Sequence, residues 1–155
     1  MTPESELEQP AVIEFYSSRA EYGFLANFYL ARITLGDRVW PTSEHYFQGQ
    51  KFAGTPDEEA VRRASTPRVA ATLGRDRRRP LRADWEAVKE QVMLEALRAK
   101  FTQHPNLRAA LLATGSARLV EHTANDAYWG DGGDGHGLNR LGALLEQARG
   151  EMRRA

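Results

Sequence analysis

The sequence predicts an α+β fold, mostly helical, in which a small N-terminal antiparallel sheet packs on a helical body. Three observations predict it. Tyr29, Ala31, Ile33 and Leu35 alternate with Leu30, Arg32 and Thr34 at the period of a strand, and Gly36-Asp37 is a two-residue hairpin signal before Arg38-Val39-Trp40. Trp85, Val88, Val92, Met93, Ala96, Leu97 and Phe101 recur at helical spacing and form the longest apolar stripe. Leu138, Leu141, Leu145, Ala148 and Met152 repeat that pattern on a last helix from about Asn139 to Met152.

Taken in order, Met1 to Pro10 is acidic and lacks an apolar stretch, so residues 1–11 are expected to be a flexible N-terminal tail and residues 12–152 a single domain. Val12 to Tyr16 reads as a short strand, and the aromatic-rich stretch from Ser17 to Tyr29 as a packed loop. After the hairpin, Pro41 and Thr42 mark a helix start, with Thr42 supplying the N-cap oxygen for a helix reaching Phe52. Gly54-Thr55-Pro56 ends it, and Thr55 or Asp57 caps the next helix, to about Ala64. Ser65-Thr66-Pro67 restarts a helix that Gly74 stops. Asp84 caps the long helix, and Asn106 caps one over Leu107 to Ala113. Arg118 to His122 reads as a strand.

Composition narrows the function classes. The 155 residues contain no cysteine, which removes disulfide and thiolate chemistry and fits a cytoplasmic protein. No apolar run approaches the length of a membrane span, and no membrane partner is expected. Basic and acidic residues balance at 21 each, but unevenly: Arg62 to Arg82 holds eight arginines and one acid, Asp76, whereas Glu121 to Asn139 holds four acids and no Lys or Arg. The first segment suits a phosphate or nucleic acid; alternatively the two neutralise each other.

Two stretches carry the chemistry. On a helix from Thr42 to Phe52, Glu44, Gln48 and Lys51 fall at i, i+4 and i+7, with Lys51 within about 20° of Glu44 around the axis. A carboxylate, an amide and an amine therefore share a face, while Tyr46, Phe47 and Phe52 crowd the rest and offer the burial that lowers a lysine pKa. Gly49 inside this helix implies that another helix or a ligand approaches its backbone closely. The second stretch, Asn125 to Asn139, packs five glycines into eight residues, giving freedom to turn N–H groups toward a bound anion. Gly130, Gly132 and Gly135 match G-x-G-x-x-G, but the run lies near the C-terminus without a βαβ unit, which excludes a dinucleotide site. Asp131, Asp134 and His136 lack the spacing of a calcium loop, and neither a metal nor another cofactor is expected. Trp129 is a platform for a heterocycle, and Trp40 and Trp85 read as core, Trp85 with an edge available to a cleft. Glu44, Asp131, Asp134 and Lys51 together suit cleavage of a glycosidic bond: carboxylates protonate the leaving group or balance an oxocarbenium-like state, and an amine can attack C1 to give an imine.

The word Trp40-Pro41-Thr42-Ser43-Glu44-His45-Tyr46-Phe47-Gln48, followed by Gln50-Lys51-Phe52, resembles the signature of the NADAR superfamily, closest to its bacterial YbiA-like N-glycosidase branch. The likeness runs from about Ile13 to Arg149 through Phe15-Tyr16, Asn27-Phe28, Gly74-Arg75, Arg82, Trp85, Lys89, Val92-Met93, Lys100-Phe101, Leu119-Val120-Glu121, Tyr128-Trp129-Gly130, Asn139 and Leu141-Gly142. The resemblance implies an N-glycosidase that splits phosphorylated ribosylamino-pyrimidine intermediates of riboflavin biosynthesis into a base and ribose 5-phosphate. It implies Glu44, Lys51 and Asp131 as catalytic residues, and Asn27, Gln48, Trp85, Asp126, Trp129, Asp134 and Asn139 as substrate-binding ones, to which the enzyme reading adds Arg19. Lys51 is either the covalent amine or an electrostatic partner of Glu44, and Arg19 or one of the Arg75 to Arg82 group holds the phosphate. Other branches of the superfamily remove ADP-ribose from guanine in nucleic acid, so the Arg-rich segment would there track a backbone. A non-catalytic ADP-ribose or nucleotide sensor is the third reading, one that needs neither Glu44 nor Lys51.

Overall fold

A computed structural model of the chain describes residues 11–155. The tail expected over 1–11 therefore lies, apart from Ala11, outside the described residues. The elements run β1 (Val12–Phe15), a 3₁₀ turn (Gly23–Leu25), β2 (Ile33–Leu35), β3 (Arg38–Trp40), α1 (Ser43–Gln50), α2 (Pro56–Arg62), α3 (Pro67–Gly74), α4 (Trp85–Gln103), α5 (Pro105–Ala113), β4 (Arg118–Glu121) and α6 (Arg140–Arg154). The fold is α+β and mostly helical, as the periodicities predict. No helix among the described residues is long and apolar enough to cross a membrane. The chain divides into two compact units, one of residues 27–103 and one of residues 11–26 with 104–155.

In the unit 27–103, β2 and β3 pair antiparallel with Ile33 opposite Trp40 and Leu35 opposite Arg38. Gly36 and Asp37 both have positive φ, +59° and +65°, which is the tight turn their sequence calls for. The strand begins at Ile33, so residues 29–32 stay outside the ladder. Gln103, at the end of α4, completes the free edge of β2: its amide accepts from the Thr34 N–H at 2.8 Å and donates to the Thr34 carbonyl at 2.9 Å. Thr42 caps α1 as expected, its Oγ1 accepting from the His45 N–H at 3.1 Å. Thr66 does the same for α3 through the Val69 N–H. Burial lowers the pKa of His45, and the neutral ring bridges Thr42 Oγ1 and the Ala64 carbonyl. Every residue of α1 from Ser43 to Gly49 is buried, so this helix is the centre of its unit rather than a surface.

The close approach expected at Gly49 comes first from a strand and then from a helix: a Cβ there would lie 2.6 Å from the Trp40 ring of β3 and 3.7 Å from the Glu58 carbonyl of α2. Gly74 likewise closes α3 without a positive φ; its Cα faces Gln48, whose Oε1 would sit 2.1 Å from an added Cβ. Lys100 on α4 is fully buried, its amine 5.5 Å from the Tyr29 ring centre and 5.3 Å from that of Phe101. Burial pulls its pKa down to about 7.

In the other unit, β1 is not part of an antiparallel sheet. It pairs parallel with β4, Ile13 opposite Leu119 and Phe15 opposite Glu121. Leu25, Leu107, Leu111, Leu119, Leu141 and Leu145 fill the core beneath this pair. Helix α5 starts two residues earlier than the Asn106 cap implies: Pro105 occupies its first turn, where a missing N–H costs nothing, and His104 is the capping residue. Helix α6 follows Asn139, whose φ of +50° and ψ of 46° are left-handed, a conformation that asparagine tolerates. At Gly142 in its first turn an added Cβ would lie 1.9 Å from the Leu119 carbonyl oxygen of β4.

Candidate active site

Five of the expected site residues belong to the unit 27–103: Asn27, Glu44, Gln48, Lys51 and Trp85. Helix α1 sets three of them. Glu44 and Gln48 are buried at 7% and 3% exposure, and the Gln48 amide donates to Glu44 Oε2 at 3.4 Å. The shared polar face is therefore enclosed and is not a solvated stripe. Glu44 sits in the first turn, where the helix dipole favours a carboxylate. Asn27 fixes that end from outside: its carbonyl accepts from the Glu44 N–H at 3.3 Å, and its Oδ1 accepts from Ser43 Oγ at 2.8 Å. Gln48 Oε1 is buried against Gly74 with no hydrogen-bond donor among the described residues.

Lys51 follows α1 in right-handed helical conformation, which keeps it in register with Glu44 and Gln48. Its Nζ donates to the Gly74 carbonyl at 3.2 Å and lies 5.8 Å from the Phe47 ring centre and 5.9 Å from that of Trp85. Tyr46 and Phe52, expected to share in this lining, face elsewhere. Tyr46 packs edge-on against Trp40 and donates to Glu95, and Phe52 packs with Val61 and Ala70. Only Phe47 has the i, i+4 relation to Lys51 that brings side chains together; Trp85, buried at 6% exposure, replaces the others. Burial lowers the Lys51 pKa, the Glu44 charge raises it, and the Arg75 charge lowers it again; the net direction is down. A lysine so placed carries more of its neutral, nucleophilic form near neutral pH than a solvated one.

The Arg-rich segment is largely committed to its own acids. Arg62 and Arg63 pair with Glu59, Arg78 with Asp76, Arg79 with Asp57 and Asp76, and Arg82 with Asp84. These carboxylates neutralise most of the cluster.

The other unit carries Arg19, Asp126, Trp129, Asp131, Asp134 and Asn139. Arg19 is exposed on a turn. The glycine-rich loop uses its N–H groups internally, which corrects the expectation that they turn toward a bound anion. Asp126 Oδ1 accepts from the N–H groups of Tyr128 and Trp129 at 2.9 and 2.8 Å. Asp131 Oδ1 accepts from Thr123 and Gly133 at 3.1 and 2.8 Å. Asp134 Oδ1 accepts from His136 at 2.9 Å. Positive φ at Gly132, Gly133 and Gly135 makes these turns possible. Asn139 takes the place of a strand neighbour beside β4, accepting from the Glu121 N–H at 3.0 Å and donating to the Leu119 carbonyl at 2.9 Å. Trp129 is half-buried, its ring edge-on to Tyr128 at 4.9 Å.

One residue of this loop region escapes the sequence reading. His122, directly after β4, places Nδ1 2.8 Å from Asp131 Oδ2 and 3.1 Å from Glu14 Oε2. Among the described residues, Glu14, His122 and Asp131 are the group whose ligand atoms converge closely enough to hold a cation; Asp134 and His136 do not join them. Here the ring proton occupies that position. The hydrogen bond to Asp131, then the charges of Asp131 and Glu14, raise the His122 pKa; the same hydrogen bond lowers that of Asp131. The raised histidine contributes stability fully below about pH 6.5 and loses it as pH rises through its folded pKa; the depressed aspartate contributes above about pH 3.9 and loses it as pH falls. The pair is thus whole between those values. In an NMR titration, His122 is expected to titrate above 6.5, and Asp131→Asn to return it toward that value. An unshifted His122 in the wild-type chain would remove the pair.

The NADAR domain family matches the chain over residues 14–153. The chain is 58% identical to N-glycosidase YbiA of Escherichia coli K12 over 144 residues, 93% of this chain and 90% of that protein. It is 46% identical to riboflavin biosynthesis protein VVA0006 of Vibrio vulnificus, across 94% of this chain and 39% of that longer protein. The NMR structure of the E. coli protein YbiA superimposes with a TM-score of 0.87, covering 94% of this chain and 87% of that one at 57% identity.

Proposed function

This chain belongs to the NADAR family and is an N-glycosidase acting on a small molecule, and from that premise we propose that its substrates are phosphorylated ribosylamino-pyrimidines of riboflavin biosynthesis. Water is consumed, the base leaves with its amino group, and ribose 5-phosphate is released. The observation that carries the reading is the Lys51 amine, held by the Gly74 carbonyl against two rings and lowered in pKa, on the same buried helix face as Glu44. In this proposal Lys51 attacks C1 as the base departs, Glu44 takes the proton that the attacking amine sheds and passes it to the leaving nitrogen, and the ring opens to an imine. Water then adds to the imine carbon and expels the sugar, restoring the amine. Gln48 lines the same face and holds Glu44 in place through its amide. Asp131 is assigned through the family's pattern of residues; its lowered pKa suits a carboxylate that stays ionised and balances cationic charge, not one that gives up a proton. Asp126, Asp134 and Asn139 shape the loop that carries Trp129.

A product assay tests the substrate class. Incubation with a phosphorylated ribosylamino-pyrimidine is expected to yield free base and ribose 5-phosphate, with no release of ADP-ribose from ADP-ribosylated DNA run in parallel. Release from the DNA alone would transfer the activity to nucleic acid. Trp129 is proposed to stack on the base, so Trp129→Ala should raise KM by about tenfold or more, as base–aromatic stacking contributes about 1–3 kcal/mol. Trp129→Phe should restore most of that loss. An alanine variant with wild-type KM would end the stacking role.

A further inference from the structure

We propose that Arg75 is the residue that holds the substrate's phosphate, its guanidinium gripping the dianion while Lys51 and Glu44 act at C1. This inference rests on the reading of the substrate as a phosphorylated riboside. Of the eight arginines from Arg62 to Arg82, five are engaged with Glu59, Asp76, Asp57 or Asp84, and only Arg68, Arg75 and Arg77 form no ion pair among the described residues. Position separates these three. Arg75 directly follows Gly74, whose carbonyl accepts from Lys51 Nζ at 3.2 Å, so its backbone adjoins the catalytic amine's own anchor. Its charge also reaches that amine, since it is one of the groups that hold the Lys51 pKa down. Arg68 lies seven residues earlier, in the first turn of α3 and about 10 Å away along the helix axis. Arg77 is two residues farther along the outward turn and exposed.

The fold keeps Arg75 available. Asp76, the one acid of the segment, is taken by Arg78 through two hydrogen bonds and by Arg79 at 3.8 Å. Arg75 itself is exposed, and its backbone N–H is satisfied by the Ala71 carbonyl at the end of α3, which fixes where the side chain starts. Lys51 thus has Arg75 as the like charge and Glu44 as the opposing charge acting on it. A planar guanidinium can bind two phosphate oxygens at once, which gives orientation as well as affinity.

Inhibition by ribose 5-phosphate and by inorganic phosphate tests this, together with ³¹P line broadening of inorganic phosphate, which needs no turnover. Arg75→Gln is expected to weaken both inhibitors and the line broadening by about tenfold to hundredfold. Arg75→Lys should recover part of this, and Arg68→Gln should match wild type. On the plateau of the pH profile, where Lys51 is already neutral, Arg75→Gln should raise KM for the phosphorylated riboside and leave KM for its dephosphorylated form unchanged. It should move the acid limb of the kcat/KM profile to higher pH, because a charge that depresses Lys51 has gone; a merely structural arginine would not shift that limb. Equal losses on both substrate forms, or loss in Arg77→Gln instead of Arg75→Gln, would overturn the assignment. If the wild-type enzyme cleaves no ribosylamino-pyrimidine, the substrate reading fails, while the phosphate line broadening still decides for or against Arg75.

Discussion

Exchanging Lys51 for arginine is expected to abolish turnover, with a loss of at least about a thousandfold. Arginine keeps the positive charge and can still reach the Gly74 carbonyl and the Phe47 and Trp85 rings that surround the amine. It cannot shed a proton at neutral pH, and so cannot attack carbon. A purely electrostatic Lys51 would tolerate that change, and the Lys51→Arg variant would retain measurable activity. Borohydride added during turnover should trap the wild-type enzyme as a reduced adduct on Lys51, located by mass spectrometry. Glu44→Gln is expected to lose about 10² to 10⁴ in kcat, the range for removing a positioned acid. It should keep its fold, because the amide occupies the same volume and can still meet Gln48. An active Lys51→Arg enzyme without an adduct would end the imine route and leave catalysis to the carboxylates.

The largest effect on stability is expected at Gly142. A methyl group there would lie 1.9 Å from the Leu119 carbonyl oxygen and 2.4 Å from the Asn139 amide nitrogen. Both neighbours are fixed, one as backbone of β4 and the other by its bonds to Leu119 and Glu121, so α6 must move away from the strand. Overpacking commonly costs about 1–3 kcal/mol, and more where backbone must shift, against a total margin of about 5–15 kcal/mol. Gly142→Ala should therefore lower Tm by many degrees or prevent folding. Gly150 on the same helix is the control: its added Cβ meets only the Arg154 side chain, at 3.5 Å. Gly150→Ala should be neutral or stabilising by up to about 1 kcal/mol, as alanine favours helix over glycine. Equal melting temperatures for the two variants would contradict the close approach of α6 to β4.

What the sequence made legible was local. The Thr42 and Thr66 caps, the Gly36-Asp37 turn and the shared face of Glu44, Gln48 and Lys51 each depend on residues a few positions apart, and each is present in the fold. The partner of β1 was not legible, because a parallel pair draws its second strand from the far end of the chain and no turn residue announces it. The neighbours of glycines were equally hidden: Trp40 over Gly49 and Gln48 over Gly74 are tertiary contacts that spacing does not encode. In the candidate site, Phe47 beside Lys51 follows from helical spacing, whereas Trp85 arrives from another helix. His122 carries no signal in the sequence because its carboxylate partners, Glu14 and Asp131, come from a strand and a loop that only the fold assembles.

Lys100 also determines how this protein meets amine-directed reagents. The chain has eighteen arginines but only three lysines, Lys51, Lys89 and Lys100. Lys100 is sealed from solvent, so its neutral form at about pH 7 is chemically silent despite its low pKa. Lys89 is held in an ion pair with Glu86. An acylating reagent therefore finds in Lys51 an amine that is not sealed from solvent and whose pKa is lowered. Selective labelling of Lys51 needs no engineered handle, and the occupancy of its pocket can be followed by the protection that a bound molecule gives to a single amine.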